Sequence, residues 1–133
     1  MVTYLWIAFG SALGGVSRYG CSRAIALWFG ETFPWGTISV NIIGSFVIGF
    51  FATLSGPDGR LLIAPDIRVF VMVGFCGGFT TFSSFTLATL DLLRNRDFTE
   101  AGANILLSVV LCMVAVWIGY LGAALINGVK GVS

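Results

Sequence analysis

No charged residue occurs between Val69 and Leu90, and this uncharged stretch is long enough to cross the apolar core of a bilayer. Such a stretch must satisfy its backbone polar groups within a helix or against other parts of the protein, because hydrocarbon offers no hydrogen bonds. The whole chain has the same character: 57% of its residues are hydrophobic and only 10% are charged, where soluble domains carry about 25% charged residues. The sequence therefore predicts an all-α membrane protein.

Four spans are predicted when the chain is divided where charges, prolines and glycines collect, at about 20 apolar residues for each crossing. All three prolines fall in the connections, which are too short for a soluble domain. The N-terminus lacks a basic region and a small-residue cleavage site, so the first apolar stretch is expected to remain as a span. We expect residues 1–133 to form a single transmembrane domain with spans at about 4–28, 35–54, 67–93 and 101–126.

The third predicted span contains the stretch GGFTTFSSF, residues 77–85, whose composition is unusual for a membrane helix. Glycines weaken a helix, and unpaired hydroxyls in hydrocarbon cost several kcal/mol each. One interpretation is a helix break that lines a water-filled or protein-enclosed path. The alternative is a continuous packing helix, in which small residues allow close approach and hydroxyls bond back to carbonyls one turn earlier.

The basic residues near the span ends are evenly divided between the two sides of the predicted bundle. Three lie on the side of the termini and three on the other: Arg60, Arg68 and Lys130 against Arg23, Arg94 and Arg96. The usual cytoplasmic excess of Lys and Arg is therefore nearly absent. A protein without that bias is able to insert both ways up and to form an antiparallel, dual-topology homodimer; the alternative is one orientation fixed by folding. The net charge of +1 and the scattered basic residues exclude a nucleic-acid-binding arm.

The polar side chains inside the spans are hydrogen-bond donors rather than carboxylates. No Asp or Glu lies well inside a span and the chain has no histidine, whereas proton-coupled carriers usually need one of these groups in the membrane. The donors occur in the second, third and fourth spans: Ser39, Asn41, Ser45, the hydroxyls at 80–84, Asn104 and Ser108. This set suits an anion better than a cation. Asn104, Ser108 and Cys112 recur every four residues as a stripe that either continues a path or binds the helices together.

Two phenylalanines and one arginine stand out beside these donors. Phe82 and Phe85, at positions i and i+3, share a helix face. Presented edge-on, the rings would contact an anion through their positive edges; the alternative is that they belong to the core or face lipid. Arg18, the only basic residue deep in a span, is interpreted either as the charge of an electropositive vestibule or as a snorkelling arginine that holds helix ends.

Three stretches together resemble the Fluc (CrcB) family of microbial fluoride channels: GGVSRYG at 14–20, WGTISVNIIGSFVIGF at 35–50 and GGFTTFSSF at 77–85. The resemblance covers nearly the whole chain. It implies a fluoride-selective passive channel of the bacterial inner membrane that exports cytoplasmic fluoride. It also implies four-span subunits with a broken third helix, which pair as antiparallel homodimers with two pores per dimer.

The resemblance further implies roles for particular residues. The fluoride pathway would be lined by side chains of the second, third and fourth spans: Asn41, Phe82, Phe85, Ser83, Ser84 and Ser108. The backbone carbonyls of Gly77 and Thr80 from both subunits would hold a structural sodium ion at the dimer interface. Arg18 matches the first-span arginine of the family, with a role in the vestibule or in the structure.

Two other classes of function stay open. A small multidrug-type antiporter is also a dual-topology four-span protein, but its proton coupling depends on a glutamate in the first span, and Glu31 lies beyond that span here. A structural subunit of a larger membrane assembly would conduct nothing by itself. An enzyme is not expected, because the sequence offers no nucleophile and base pair and no metal-ligand constellation.

Overall fold

The computed structural model describes the backbone of residues 1–132 and the side chains of residues 1–128, and every regular element in this part of the chain is helical. The elements are α1 (Val2–Phe29), α2 (Trp35–Leu54), α3 (Pro65–Val69), a π-helical segment (Phe70–Cys76), α4 (Gly77–Phe79), α5 (Phe82–Arg94) and α6 (Phe98–Val132). The backbone stays helical at the junctions on either side of the π-helical segment, so residues 65–79 form one continuous helical rod. The prediction of an all-α chain is confirmed.

Three stretches are long and apolar enough to cross a membrane: Trp35–Leu54, Pro65–Arg94 and Phe98–Gly128. They contain the second, third and fourth predicted spans. The first predicted span lies in α1, which has the necessary length but falls short in hydropathy, because its glycines, its serines, Arg18 and Arg23 dilute the apolar residues. Length and composition thus support three of the four predicted crossings, and the crossing by α1 stays a prediction.

Close packing of the helices depends on glycines, whose missing side chains let two backbones meet. A Cβ atom added at Gly10 of α1 would lie 2.6 Å from the Phe70 carbonyl oxygen. Gly49 of α2 and Gly119 of α6 approach the backbone of each other's helix in the same way. As a result α1 packs along residues 65–79, and α2 packs on α6 over much of its length.

Hydrogen bonds from polar side chains hold the C-terminal end of α2 against its neighbouring helices. Arg68 donates from Nε to Ser55 Oγ at 3.1 Å and from Nη2 to the Ala52 carbonyl oxygen at 3.3 Å. Asn127 of α6 donates from Nδ2 to the Thr53 carbonyl oxygen at 3.2 Å. These bonds satisfy carbonyls that the last turn of α2 leaves without helical donors. The end of α2 is therefore fixed to both α3 and α6.

The helix that begins at Pro65 is interrupted at Thr80 and Thr81. Thr80 has φ −84° and ψ 157°, and Thr81 has φ −150° and ψ 113°, so both are extended. The predicted break is confirmed and a continuous helix is wrong, although the alternative correctly expected close packing by glycine and a hydroxyl bonded to the preceding turn, as from Thr80 Oγ1 to the Cys76 carbonyl oxygen at 3.0 Å. The glycines Gly77 and Gly78 nevertheless remain helical, with φ −63° and ψ −37° at Gly77. The small size of Gly78 serves the packing of the rod on α1, since an added Cβ would lie 2.7 Å from the Ser11 carbonyl oxygen, and the break follows both glycines in the sequence.

Candidate functional site at the interrupted helix

One side chain of α2 holds the interruption in place. Asn41 Nδ2 donates to the Thr81 carbonyl oxygen at 3.1 Å, and Asn41 Oδ1 accepts from the Thr81 N–H at 2.7 Å. The amide thereby pairs with both backbone polar groups of Thr81. Because an unpaired backbone group is costly in a bilayer, these two bonds stabilise the extended conformation at this depth of the bundle.

The hydrogen bonds at the break also leave two backbone carbonyl groups, here called released carbonyls, without their helical hydrogen-bond donors. In a continuous helix the Thr81 N–H would bond to the Gly77 carbonyl, but here it is bound to Asn41. The Ser84 N–H would likewise bond to the Thr80 carbonyl. Instead it donates at 3.1 Å to Oγ1 of Thr81, which is the N-cap of α5. The carbonyls of Gly77 and Thr80 thus lose their usual helical donors.

Arg18 of α1 binds a third carbonyl near the break. Its Nε donates to the Gly78 carbonyl oxygen at 3.3 Å, in a partly buried position. In a continuous helix this oxygen would accept from the N–H of Phe82. A guanidinium at this place also complements the negative end of the helical rod formed by residues 65–79. Of the two interpretations of Arg18, the contact favours the structural one.

A cavity of about 400 Å³ lies beside the break, between α2, the interrupted helix and α6, and it is open along one side. Its polar wall consists of the side chains Asn41, Ser45, Thr80, Thr81 and Ser108. Most of the remaining wall is apolar, with Ile48, Phe82, Phe85, Val109 and Met113. No Asp, Glu, Lys or Arg among the described residues lines it. The cavity therefore combines neutral hydrogen-bonding groups with aromatic and aliphatic walls.

Phe82 and Phe85 lie side by side at this cavity. Their ring centroids are 5.4 Å apart and the ring planes are inclined by 54°. Phe85 is only 9% exposed, whereas Phe82, the first residue of α5, is 76% exposed. Phe85 therefore forms part of the inner wall, and Phe82 stands at the open side.

A chain of buried hydrogen bonds connects two walls of the cavity. Ser108 Oγ donates to Asn104 Oδ1 at 3.3 Å, and Asn104 Nδ2 donates to Thr89 Oγ1 at 2.9 Å. Thr89 Oγ1 in turn donates to the Phe85 carbonyl oxygen at 2.8 Å. Within the predicted stripe on the fourth span, Asn104 thus binds two helices together, whereas Ser108 and Cys112 line the cavity.

Most of the site residues predicted from the sequence meet at the one cavity: Asn41, Gly77, Thr80, Phe82, Phe85 and Ser108. Ser83 and Ser84 lie outside its wall. Ser83 Oγ is 3.3 Å from Thr81 Oγ1, and the backbone of Ser84 is held by the same hydroxyl. Arg18 also lies outside the wall, behind the rod that it caps. A place in a fluoride pathway stays a prediction for all of these residues.

Two functional side chains were not assigned their roles from the sequence. Thr81 acts as a helix cap, and the preference for threonine at the residue before a helix is a signal that could have indicated this role once a break was expected at 77–85. Thr89 offers no such signal, because a threonine inside a helix most often bonds only to its own helix. Its link to Asn104 arises where α5 meets α6.

The fold and the site define an integral membrane protein of the transport class. It has helical stretches of membrane length, a helix broken beside a cavity of neutral donors, and large apolar side chains exposed along α6, such as Val110 and Trp117. The chain belongs to the family described as CrcB-like protein, Camphor Resistance (CrcB), whose sequence profile matches residues 5–120. The resemblance to this family is therefore confirmed.

Three relatives illustrate how similar the chain is to other members. A protein of Opitutus terrae is 56% identical over 131 residues, which are 98% of this chain and 99% of the relative. A protein of Methylocella silvestris is 53% identical over 96% of this chain and 98% of the relative. A protein of Rhodospirillum rubrum is 56% identical over 95% and 98%. Each of the three is named fluoride-specific ion channel FluC.

Replacing Asn41 by Leu is expected to destabilise the folded protein by roughly 1–3 kcal/mol, because both backbone groups of Thr81 lose their side-chain partner. Thermal unfolding of the purified protein in detergent measures this loss. Ser45→Ala is the matched control, since Ser45 lies one turn further along α2, lines the same cavity and makes no side-chain hydrogen bond within the described part of the chain. Equal stability of the two variants would contradict the role given to Asn41.

Proposed function

We propose that this protein is a passive, fluoride-selective channel that exports cytoplasmic fluoride across the bacterial inner (plasma) membrane. The observation that carries the proposal is the 53–56% identity to proteins named fluoride-specific ion channels, over 95–98% of this chain. The range that matches the family profile, residues 5–120, spans the broken helix and all positions of the cavity wall. The chemistry of the cavity supports the same function.

A small, strongly hydrated anion enters a narrow path only where several donors replace its water. Asn41 Nδ2 uses one hydrogen for Thr81 and has a second, and the Ser45 hydroxyl lies on the same wall. The rings of Phe82 and Phe85 add positive edges. This combination provides many weak donors without a fixed positive charge, which lets an anion bind without being trapped.

Passive transport is favoured over proton coupling. The described residues of the cavity wall include no carboxylate, and the helix α1 carries no glutamate of the kind on which a small multidrug-type antiporter depends. Fluoride that enters an acid-stressed cell as neutral HF dissociates inside. The membrane potential then drives the anion outwards, so a channel suffices for export.

A second copy of the chain is proposed to complete the pathway. The cavity is open on one side, where Phe82 is largely exposed, and the carbonyls of Gly77 and Thr80 lack helical donors. Polar backbone facing lipid at this position would be unsatisfied. A second copy packed antiparallel would cover the open side, agree with the even distribution of basic residues, and produce two pores related by symmetry.

A sodium ion is proposed as the structural cofactor of this dimer. The released carbonyls of Gly77 and Thr80 are hard oxygen ligands, which suit a small hard cation. One chain offers two such oxygens, and an antiparallel partner would offer the same two. A cation bound there would offset the repulsion between carbonyl dipoles gathered at the interface.

Liposomes that contain only the purified protein are expected to release fluoride rapidly and to retain chloride, under a potassium–valinomycin potential without a proton gradient. A fluoride-selective electrode and a chloride-selective electrode outside the liposomes record the two effluxes. Efflux that requires a proton gradient would instead identify a coupled antiporter. No efflux under either condition would identify a structural subunit, and both results contradict the proposed channel.

Replacing Phe82 or Phe85 by Ile is expected to slow fluoride efflux by about tenfold, because bulk is kept while the positive ring edge is lost. The dimer should still assemble. Phe9→Ile is the control, because Phe9 is an exposed ring of α1 that stacks on Phe70 away from the cavity. Unchanged efflux in both cavity variants would remove the rings from the pathway.

Replacing sodium by N-methylglucamine is expected to lower the thermal stability of the dimer. The bound ion contributes about 1.4 kcal/mol for each tenfold excess over its dissociation constant. Gly77→Ala should keep this sodium dependence, since an added Cβ would meet nothing of its own subunit closer than 4.0 Å, whereas Gly77→Pro should abolish it by changing the backbone. Equal stability of the wild-type dimer in both media would overturn the sodium site.

A further inference from the structure

Asn104 is the most completely buried polar side chain in the described part of the bundle, with 0% of its surface exposed. It does not line the cavity. Both ends of its amide are engaged, since Oδ1 accepts from Ser108 and Nδ2 donates to Thr89. Because Asn104 does not reach the cavity, its amide does not serve to solvate an ion there. Burying an amide is costly, so the hydrogen bonds that it makes indicate another role.

The contact to Thr89 has no equivalent elsewhere on α5. Within the described residues it is the only side-chain hydrogen bond that joins residues 82–94 to another helix. α5 packs mainly against α6 and hardly touches α2. Lipid gives little hydrophobic pressure to hold two helices together, so a polar contact of this kind has a large share in fixing their relative position.

We propose that Asn104 and Thr89 are positioning residues that set the width of the fluoride pathway between Phe85 and Ser108. The bonds run from the Ser108 hydroxyl through Asn104 and Thr89 to the Phe85 carbonyl, so they connect two cavity-lining residues on different helices. This inference rests on the proposed function, because the width matters only if an anion passes there.

The connection requires a hydroxyl group at position 89, because this group both accepts and donates a hydrogen bond. The hydroxyl of Thr89 is an acceptor for Asn104 and a donor to the Phe85 carbonyl at the same time. Valine has the shape of threonine but neither function, so Thr89→Val breaks the chain of bonds without opening a cavity. Serine keeps the hydroxyl, so Thr89→Ser restores it. Asn104→Leu removes the opposite partner and keeps the branching and the number of heavy atoms of the side chain.

The first measurement is amide hydrogen exchange of α5 in the purified, full-length protein. Thr89→Val and Asn104→Leu are each expected to speed exchange there by about threefold to tenfold, as expected for one hydrogen bond lost inside a membrane bundle. Thr86→Val is the matched control, because Thr86 donates at 2.9 Å to the Ser83 carbonyl of its own helix and reaches no other helix. This measurement does not depend on transport.

The second measurement is the ratio of fluoride to chloride efflux from liposomes, well below the unfolding temperature of each variant. Both single variants should lower the ratio by about threefold to tenfold, the double variant should lower it no further, and Thr89→Ser should restore it.

Unchanged exchange in α5 would show that the contact does not hold the helix. Faster exchange with an unchanged ratio, or multiplicative effects in the double variant, would also overturn the proposal. A wild-type protein without fluoride efflux would refute the proposed function itself, while the exchange result would still report on the contact.

Discussion

The pair of hydrogen bonds between the Asn41 amide and the backbone of Thr81 is the interaction on which the site depends. It takes the Thr81 N–H away from the Gly77 carbonyl. It also stabilises an extended backbone at a position where lipid offers no hydrogen-bond partner. Thr81 is then placed to cap α5 by binding the Ser84 N–H, which in turn releases the Thr80 carbonyl. A single amide on a neighbouring helix thus produces the break, the new helix start and two released oxygens.

The two halves of the broken helix are held by different means, and both contribute residues to the cavity wall. The first half packs along α1 through glycines, and Arg18 binds its terminal region at the Gly78 carbonyl. The second half is joined to α6 by the contact between Asn104 and Thr89. Because helices in a membrane lack a strong hydrophobic drive to associate, close backbone packing and a few polar bonds decide where each half stands. In the proposed pathway, the distance between Phe85 and Ser108 would follow from the polar contact to α6.

The sequence predicted some elements of the site better than others. The polar stretch at 77–85 correctly indicated a break. The low helix propensity of glycine suggested that Gly77 and Gly78 weaken the helix, but both remain helical. Propensity is local, whereas the position of the break depends on which backbone group meets Asn41 across the bundle. Arg18 and the stripe of Asn104 and Ser108 allowed two interpretations each for the same reason, since the partner of a polar side chain lies on another helix.

The amino-acid sequence by itself determined the class of the protein. Continuous apolar stretches of about 20 residues and few charges predict a helical membrane bundle, because a helix of that length crosses the bilayer with its backbone bonded internally, and the motifs at 14–20, 35–50 and 77–85 indicated the family. Only the tertiary structure decided that the break falls at Thr80 and Thr81, that the carbonyls of Gly77 and Thr80 are released, and that Asn104 joins α5 to α6. These features are hydrogen bonds between helices, and their donors and acceptors come together only when the helices pack.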